Sequence, residues 1–190
     1  MEEDKFYHIF NRGNNRENIF KEEDNYYYFL KQYEKYLLNA VDTYAYCLMP
    51  NHFHLLVRIK NKFETQASKV SKTFEASRLT PAEKGFKDFF ISYAKSINKK
   101  YDRTGSLFQY KFKRKPVNDE TYLKKLVLYI HQNPVVAGFC KQSHEWKFSS
   151  YNYILSDFPT QLKKEEVIDW FNDKENFKYC HNSMVELDED

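Results

Sequence analysis

Met49-Pro50-Asn51-His52-Phe53-His54-Leu55-Leu56-Val57 reads as a short joint followed by a buried strand. Side chains on a strand alternate between faces, so His52 and His54 project to one side while Phe53 enters the opposite layer. Two imidazoles side by side on a rigid platform are what a divalent metal site asks for. An ion held there is placed to polarise a phosphate. The plainer alternative is a pair of partly buried polar residues on a packed strand.

Outward from this stretch, Thr43 to Met49 reads as the preceding strand, joined through Pro50-Asn51 as a hairpin. Phe6 to Asn11 reads as a first strand and Arg12-Gly13-Asn14-Asn15-Arg16 as a turn rimmed by two arginines. Lys21 to Leu38 has helical spacing, which makes its many tyrosines core or core-edge residues. Lys60 to Lys84 is polar and weakly periodic and reads as a mobile loop. Lys87 to Lys99 is expected to be a helix with Phe89, Phe90, Tyr93, Ala94 and Ile97 on one face.

Leu107 to Val117 alternates. Phe108, Tyr110 and Phe112 share one parity, and Gln109, Lys111, Lys113 and Lys115 the other. That predicts one strand with an aromatic and a basic face, either a groove wall following phosphates or an edge strand blunted by lysines. A helix is expected from Glu120 to about Gln132, capped by Asn118 and ending before Asn133-Pro134. Lys163 to Asn172 is expected to be a terminal helix with a frayed tail behind it.

Composition narrows the classes. The chain has 190 residues, enough for a real core, and only 4 glycines, with no Gly-rich phosphate loop motif. No apolar run is long enough for a membrane span, and the first residues carry no secretory pattern, so a cytoplasmic, nucleoid-associated protein is expected. Cys47, Cys140 and Cys180 lack zinc spacing and read as reduced thiols. The net charge of +3 conceals an uneven distribution. Lys95 to Lys115 holds eight basic residues against Asp102 alone, whereas Gln161 to Asp190 holds four lysines against nine acids. Such asymmetry points to a basic face for a polyanion and an acidic tail. Arg12, Arg16, Lys111, Lys113 and Arg114 are the candidate phosphate contacts.

Tyr129 and Asn133 are spaced i, i+4 and share a helix face if the last turn persists. A phenol is a weak nucleophile unless a metal assists it, and the Asn133 carbonyl suits a hard cation as a third ligand. The alternative for Tyr129 is a core tyrosine. Met49-Pro50-Asn51-His52-Phe53-His54, Gly105-Ser106-Leu107-Phe108-Gln109, Tyr129-Ile130-x-x-Asn133-Pro134 and Trp146-x-Phe148-Ser149-Ser150 occur in that order, behind Tyr7-His8-Ile9-Phe10-Asn11-Arg12-Gly13. Together they resemble the single-tyrosine HUH transposases, specifically the branch with the REP-associated tyrosine transposases.

The resemblance implies an α+β fold, a ferredoxin-like (RRM-like) αβ sandwich with a central antiparallel sheet. It implies a transposase domain over residues 1–155 and leaves 156–190 as a helical extension with an acidic tail. By resemblance, His52, His54 and Asn133 hold Mg2+ or Mn2+, and Tyr129 attacks single-stranded DNA at or near hairpins. The attack leaves a 5′-phosphotyrosine link and a free 3′-hydroxyl, and many relatives are homodimers. Two alternatives stand beside this reading. One is a hairpin DNA-binding protein that does not cut. The other is an RNA-binding protein stacking bases on Phe6, Tyr44 and Tyr46.

Overall fold

The computed structural model describes residues 1–61, 79–109 and 111–187. Four strands form one antiparallel sheet in the order β2-β3-β1-β4. They are β1 (Phe6–Arg12), β2 (Val41–Met49), β3 (His52–Ile59) and β4 (Lys113–Val117). Helix α1 (Glu23–Leu37) connects β1 to β2, and α2 (Pro81–Lys100) lies between β3 and β4. This is the ferredoxin-like βαββαβ order. Helix α3 (Glu120–Val136) then crosses the other face, followed by α4 (Tyr151–Leu155), α5 (Lys164–Trp170) and α6 (Lys174–His181).

Strand alternation sorts two cores. Ile9, Phe53, Leu55 and Val57 meet Phe29 of α1 and Phe86, Phe89 and Tyr93 of α2. Tyr44, Cys47, Met49 and Leu56 meet Leu126, Val127 and Ile130 of α3, with Tyr151, Val167 and Phe177 behind them. Each such aromatic or aliphatic side chain contributes about 1.5–3 kcal/mol on burial. Because both faces are covered, every residue of β2 is buried.

The same covering corrects the base-stacking expectation. Tyr44 is fully buried, stacked on Trp170 at 5.1 Å, and its hydroxyl donates to Glu166 Oε2 at 2.8 Å. Phe6 packs edge-on against Tyr44, and Tyr46 is buried on the opposite side. The outer edge of β2 is covered too. Leu48 N donates to Phe148 O, Ser150 N to Tyr46 O and Lys163 N to Thr43 O, each at 2.9 Å. A strand edge satisfied in this way is closed to strand addition.

Several element boundaries differ from the sequence expectation. Helix α2 starts at Pro81 rather than Lys87, because Thr80 and Glu83 form a reciprocal capping box with proline at the first turn. Residues 62–78 of the expected loop, and Tyr110, lie outside the described residues. The single strand expected over 107–117 is broken. Lys111 adopts φ 60°; Lys113–Val117 pairs with β1 as a strand, while Phe108 makes an isolated bridge to Gly13 and Gln109 N donates to Arg12 O at 2.9 Å. Helix α3 is capped by Asp119, not Asn118, and runs through Pro134 to Val136. Pro134 sits in the last turn, and Ala137 N, Gly138 N and Phe139 N close it by donating to Asn133 O, Val135 O and Pro134 O. The C-terminal segment is not frayed up to His181. Asp173 caps α6, and Phe177 is fully buried. The three cysteines are free thiols, and no helix among the described residues is long and apolar enough to cross a membrane.

Gly13 joins the β1 end to two other segments. Its N–H donates to Asn51 O at 2.7 Å, while Asn14 N donates to Leu107 O at 2.9 Å. A Cβ on Gly13 would sit 2.0 Å from Glu17 O and 3.1 Å from Ile19 Cγ2. Backbone cannot yield as a flexible side chain does. Gly13→Ala is therefore expected to destabilise the fold by about 1–3 kcal/mol, read as a lower urea midpoint. An unchanged midpoint would show that the 13–17 turn relaxes freely.

Candidate active site

β1 and β3 place the site on the α3 side of the sheet. The register pairs Phe10 with His54 and Arg12 with His52, and His8 lies one pair further along the same face. Across from them, Tyr129 and Asn133 descend from α3. Phe10, Arg12, His52, His54, Lys111, Lys113, Tyr129 and Asn133 line one cleft of about 380 Å³. The rings of His54 and Tyr129 stand edge to face at 5.4 Å, and those of His52 and His54 at 5.2 Å. The structure thus brings together all four residues selected as nucleophile and metal ligands.

Hydrogen bonds fix how the imidazoles face. His52 Nδ1 donates to Asn51 Oδ1 at 2.6 Å, so in the neutral ring Nε2 is an acceptor. Asn133 Nδ2 donates to Tyr129 O at 3.0 Å, which turns Oδ1 toward His52 Nε2, 3.4 Å away. Two acceptors therefore face each other across a gap wide for a hydrogen bond. A cation between them resolves the conflict, because two ligands of one small ion at about 2.1 Å each lie about 3 Å apart. His54 Nδ1 pairs with His8 Nε2 at 2.9 Å. Burial, and then the charges of His8, His52 and Arg12, hold His54 well below the usual histidine range. Burial, with Lys115 second, takes His8 down to about 3. Both rings are neutral at pH 7, the form in which imidazole ligates. Among the described residues no group of three or more His, Cys, Asp or Glu is placed to hold an ion. The donor set that fits is two imidazoles and one amide oxygen.

His8 joins this group through the strand register. Its parity with Phe6 and Phe10 put it on the right face, but only the β1–β3 register shows that it meets His54. His131, on the same helix as Tyr129, is not among the residues lining the cleft. It is fully buried, with Nδ1 against His181 Nε2 at 2.9 Å and Nε2 against Ser150 Oγ at 2.7 Å.

The five candidate phosphate contacts separate. Arg12, Lys111 and Lys113 line the cleft, with Lys113 Nζ 5.7 Å from the Phe10 ring centroid. Arg114, one residue on, faces the α2 side and pairs with Glu83. Arg16 sits exposed in the turn after β1, outside the residues lining the cleft.

The family model described as "Transposase IS200 like" matches residues 3–133. A Haemophilus influenzae protein named as a REP-associated tyrosine transposase is 28% identical over 116 residues, which is 58% of this chain and 59% of that protein. The chain thus spans about three-fifths of that relative's length. A solved structure of a REP-associated tyrosine transposase bound to a REP hairpin superposes with a TM-score of 0.59 at 15% identity, covering 84% of each chain. At that identity the likeness shows the fold.

Proposed function

The chain belongs to the IS200-like transposase family, and from that premise we propose that it cleaves and rejoins single-stranded DNA at or near hairpins through Tyr129. The observation that carries this reading is the convergence of Tyr129 and Asn133 with His52 and His54 in one cleft whose other walls bear Arg12, Lys111 and Lys113. Tyr129 Oη attacks phosphorus, an O–P bond forms and the P–O3′ bond breaks. The phenol proton is released and the departing 3′ oxygen takes one up. The strand's 5′ phosphate stays on the tyrosine, and the freed 3′-hydroxyl reverses the step on the same or another strand. Arg12, Lys111 and Lys113 neutralise the phosphates on either side. His52, His54 and Asn133 would hold Mg2+ or Mn2+, which polarises the attacked phosphate. The hairpin as partner is supported by the fold shared with the hairpin-bound transposase.

The test uses single-stranded DNA from the flanks of the gene, labelled at its 3′ end and incubated with protein and Mn2+ or Mg2+. A labelled, protein-sized band that chelator removes is the expected result. Tight binding to the same DNA with no band under either metal would favour the non-cutting hairpin binder.

The metal reading makes its own prediction. His52→Ala with His54→Ala should abolish Mn2+ binding by calorimetry. His8→Phe, which keeps the ring stacked on Phe10 (4.5 Å) but removes the partner of His54, should weaken it about 10- to 100-fold. Unchanged Mn2+ affinity in both variants would place the metal elsewhere.

A further inference from the structure

A second concavity, larger than the cleft, continues from it. Asn11, Gln109, Lys111 and Phe112 line both, so the two share a wall. The second groove, of about 810 Å³, runs along α2. Its apolar lining is the half-buried Phe112 with the exposed Ile91 and Leu79, and Phe112 is backed by the buried Phe90 at a centroid distance of 5.2 Å. Its rim carries Lys87, Lys95 and Lys111, and Arg114 stands beside Glu83. That carboxylate is already matched. Burial opposes its ionisation, but bonds from the amino terminus, the Thr80 backbone and Arg114 hold it down to about 2. The groove therefore presents cations around apolar side chains and meets the Tyr129 cleft at the residues that line both.

We propose that this groove binds the unpaired nucleotides of one arm of the strand held at Tyr129, with phosphates on Lys87 and Lys95 and bases against Phe112 and Ile91. The inference rests on the single-strand reading above and adds where the strand runs. The chemistry is that of sequence-tolerant single-strand binding, in which a positive groove tracks the backbone and aromatic rings meet the bases. The volume suits about one or two nucleotides. A peptide or lipid occupant is not favoured by cations that continue directly into a phosphodiester-sized cleft.

The probe is fluorescein-labelled dT12, followed by anisotropy across a salt series. Lys87→Gln with Lys95→Gln, both exposed positions on α2, should weaken dT12 binding by tenfold or more. It should also reduce the slope of log K against log salt by about 1.4, at about 0.7 for each single-strand phosphate released. Ala94→Trp, which fills the groove, should weaken binding without changing the slope. Matching circular dichroism and melting curves for the variants establish that they fold. A protein that forms the Tyr129 adduct but binds dT12 with wild-type affinity and slope in the double lysine variant overturns the groove alone. Absence of both adduct and dT12 binding overturns the single-strand reading with it.

Discussion

Tyr129→Phe is expected to abolish the protein-linked strand, by more than about 10⁴-fold in rate, while DNA affinity stays within about twofold. The loss is total in kind because the phenol oxygen is the atom that forms the new bond. No neighbouring group can substitute for it. His52 and His54 are turned toward Asn133 and His8, and Arg12, Lys111 and Lys113 line the cleft walls, where they are placed to contact phosphates. Binding survives because phenylalanine keeps the edge-to-face packing on His54 and His8, at 5.4 and 6.2 Å, and the cationic walls are untouched. The measurement is the denaturing gel with 3′-labelled strand, paired with a filter-binding isotherm on the same DNA. A labelled adduct that persists in Tyr129→Phe would move the nucleophile to another residue. Loss of adduct together with loss of binding would make Tyr129 a DNA contact or a structural residue.

The site was more legible in the sequence than its supports were. Local periodicity puts His52 with His54 and Tyr129 with Asn133 on shared faces, on a strand every second residue and on a helix every third or fourth, and the resemblance to the transposases is what selects these four as candidates. What periodicity cannot supply is register. The pairing that sets His8 against His54 is fixed by contacts between segments more than forty residues apart in the chain. The misplaced start of α2 has another cause. Thr80-Pro81-Ala82-Glu83 carries a full helix-start signature, but the polar residues around it look like loop. The alternation of 107–117 outlived the break at Lys111 because Phe108 and Phe112 both pack on Phe90 whether or not a strand connects them. The C-terminal helix was obscured because its buried stripe pairs Phe177 with His181, and a histidine does not announce itself as core. The acidic balance of that segment describes its outer face alone.

That histidine is half of a relay that ties the C-terminal helix to the helix bearing Tyr129, and breaking the relay should destabilise the fold. His181 Nδ1 donates to Phe177 O at 2.7 Å, so its Nε2 accepts from His131 Nδ1 at 2.9 Å. His131 Nε2 then accepts from Ser150 Oγ at 2.7 Å, and Ser150 Oγ accepts from Tyr46 N at 2.9 Å. With both rings neutral every donor in this relay has an acceptor, Ser150 Oγ also lying 3.3 Å from Tyr46 O, and burial holds both rings below the usual histidine range, His181 at about 4. Gln132, the next residue on α3, reinforces the link. Its Nε2 donates to His181 O and Ser183 O, and its Oε1 accepts from Val185 N. His131→Leu strands the buried His181 Nε2, while Ser150 Oγ keeps Tyr46 N and O, so a loss of about 1–3 kcal/mol is expected from urea unfolding at pH 7.5. The double replacement His131→Leu with His181→Leu should cost clearly less than the sum of the singles, since the second change removes a group the first left unpaired. Strict additivity would sink the relay. The pH dependence follows the same way. His181 has a folded pKa below its unfolded value of 6.5, so the unfolded state binds the extra proton and stability falls as pH drops from 6.5 toward about 4. Fully expressed, that one group removes about 3 kcal/mol. A His181→Leu variant should therefore show a flatter stability profile across that window than the parent, and parallel profiles would show that His181 charges freely in the folded protein.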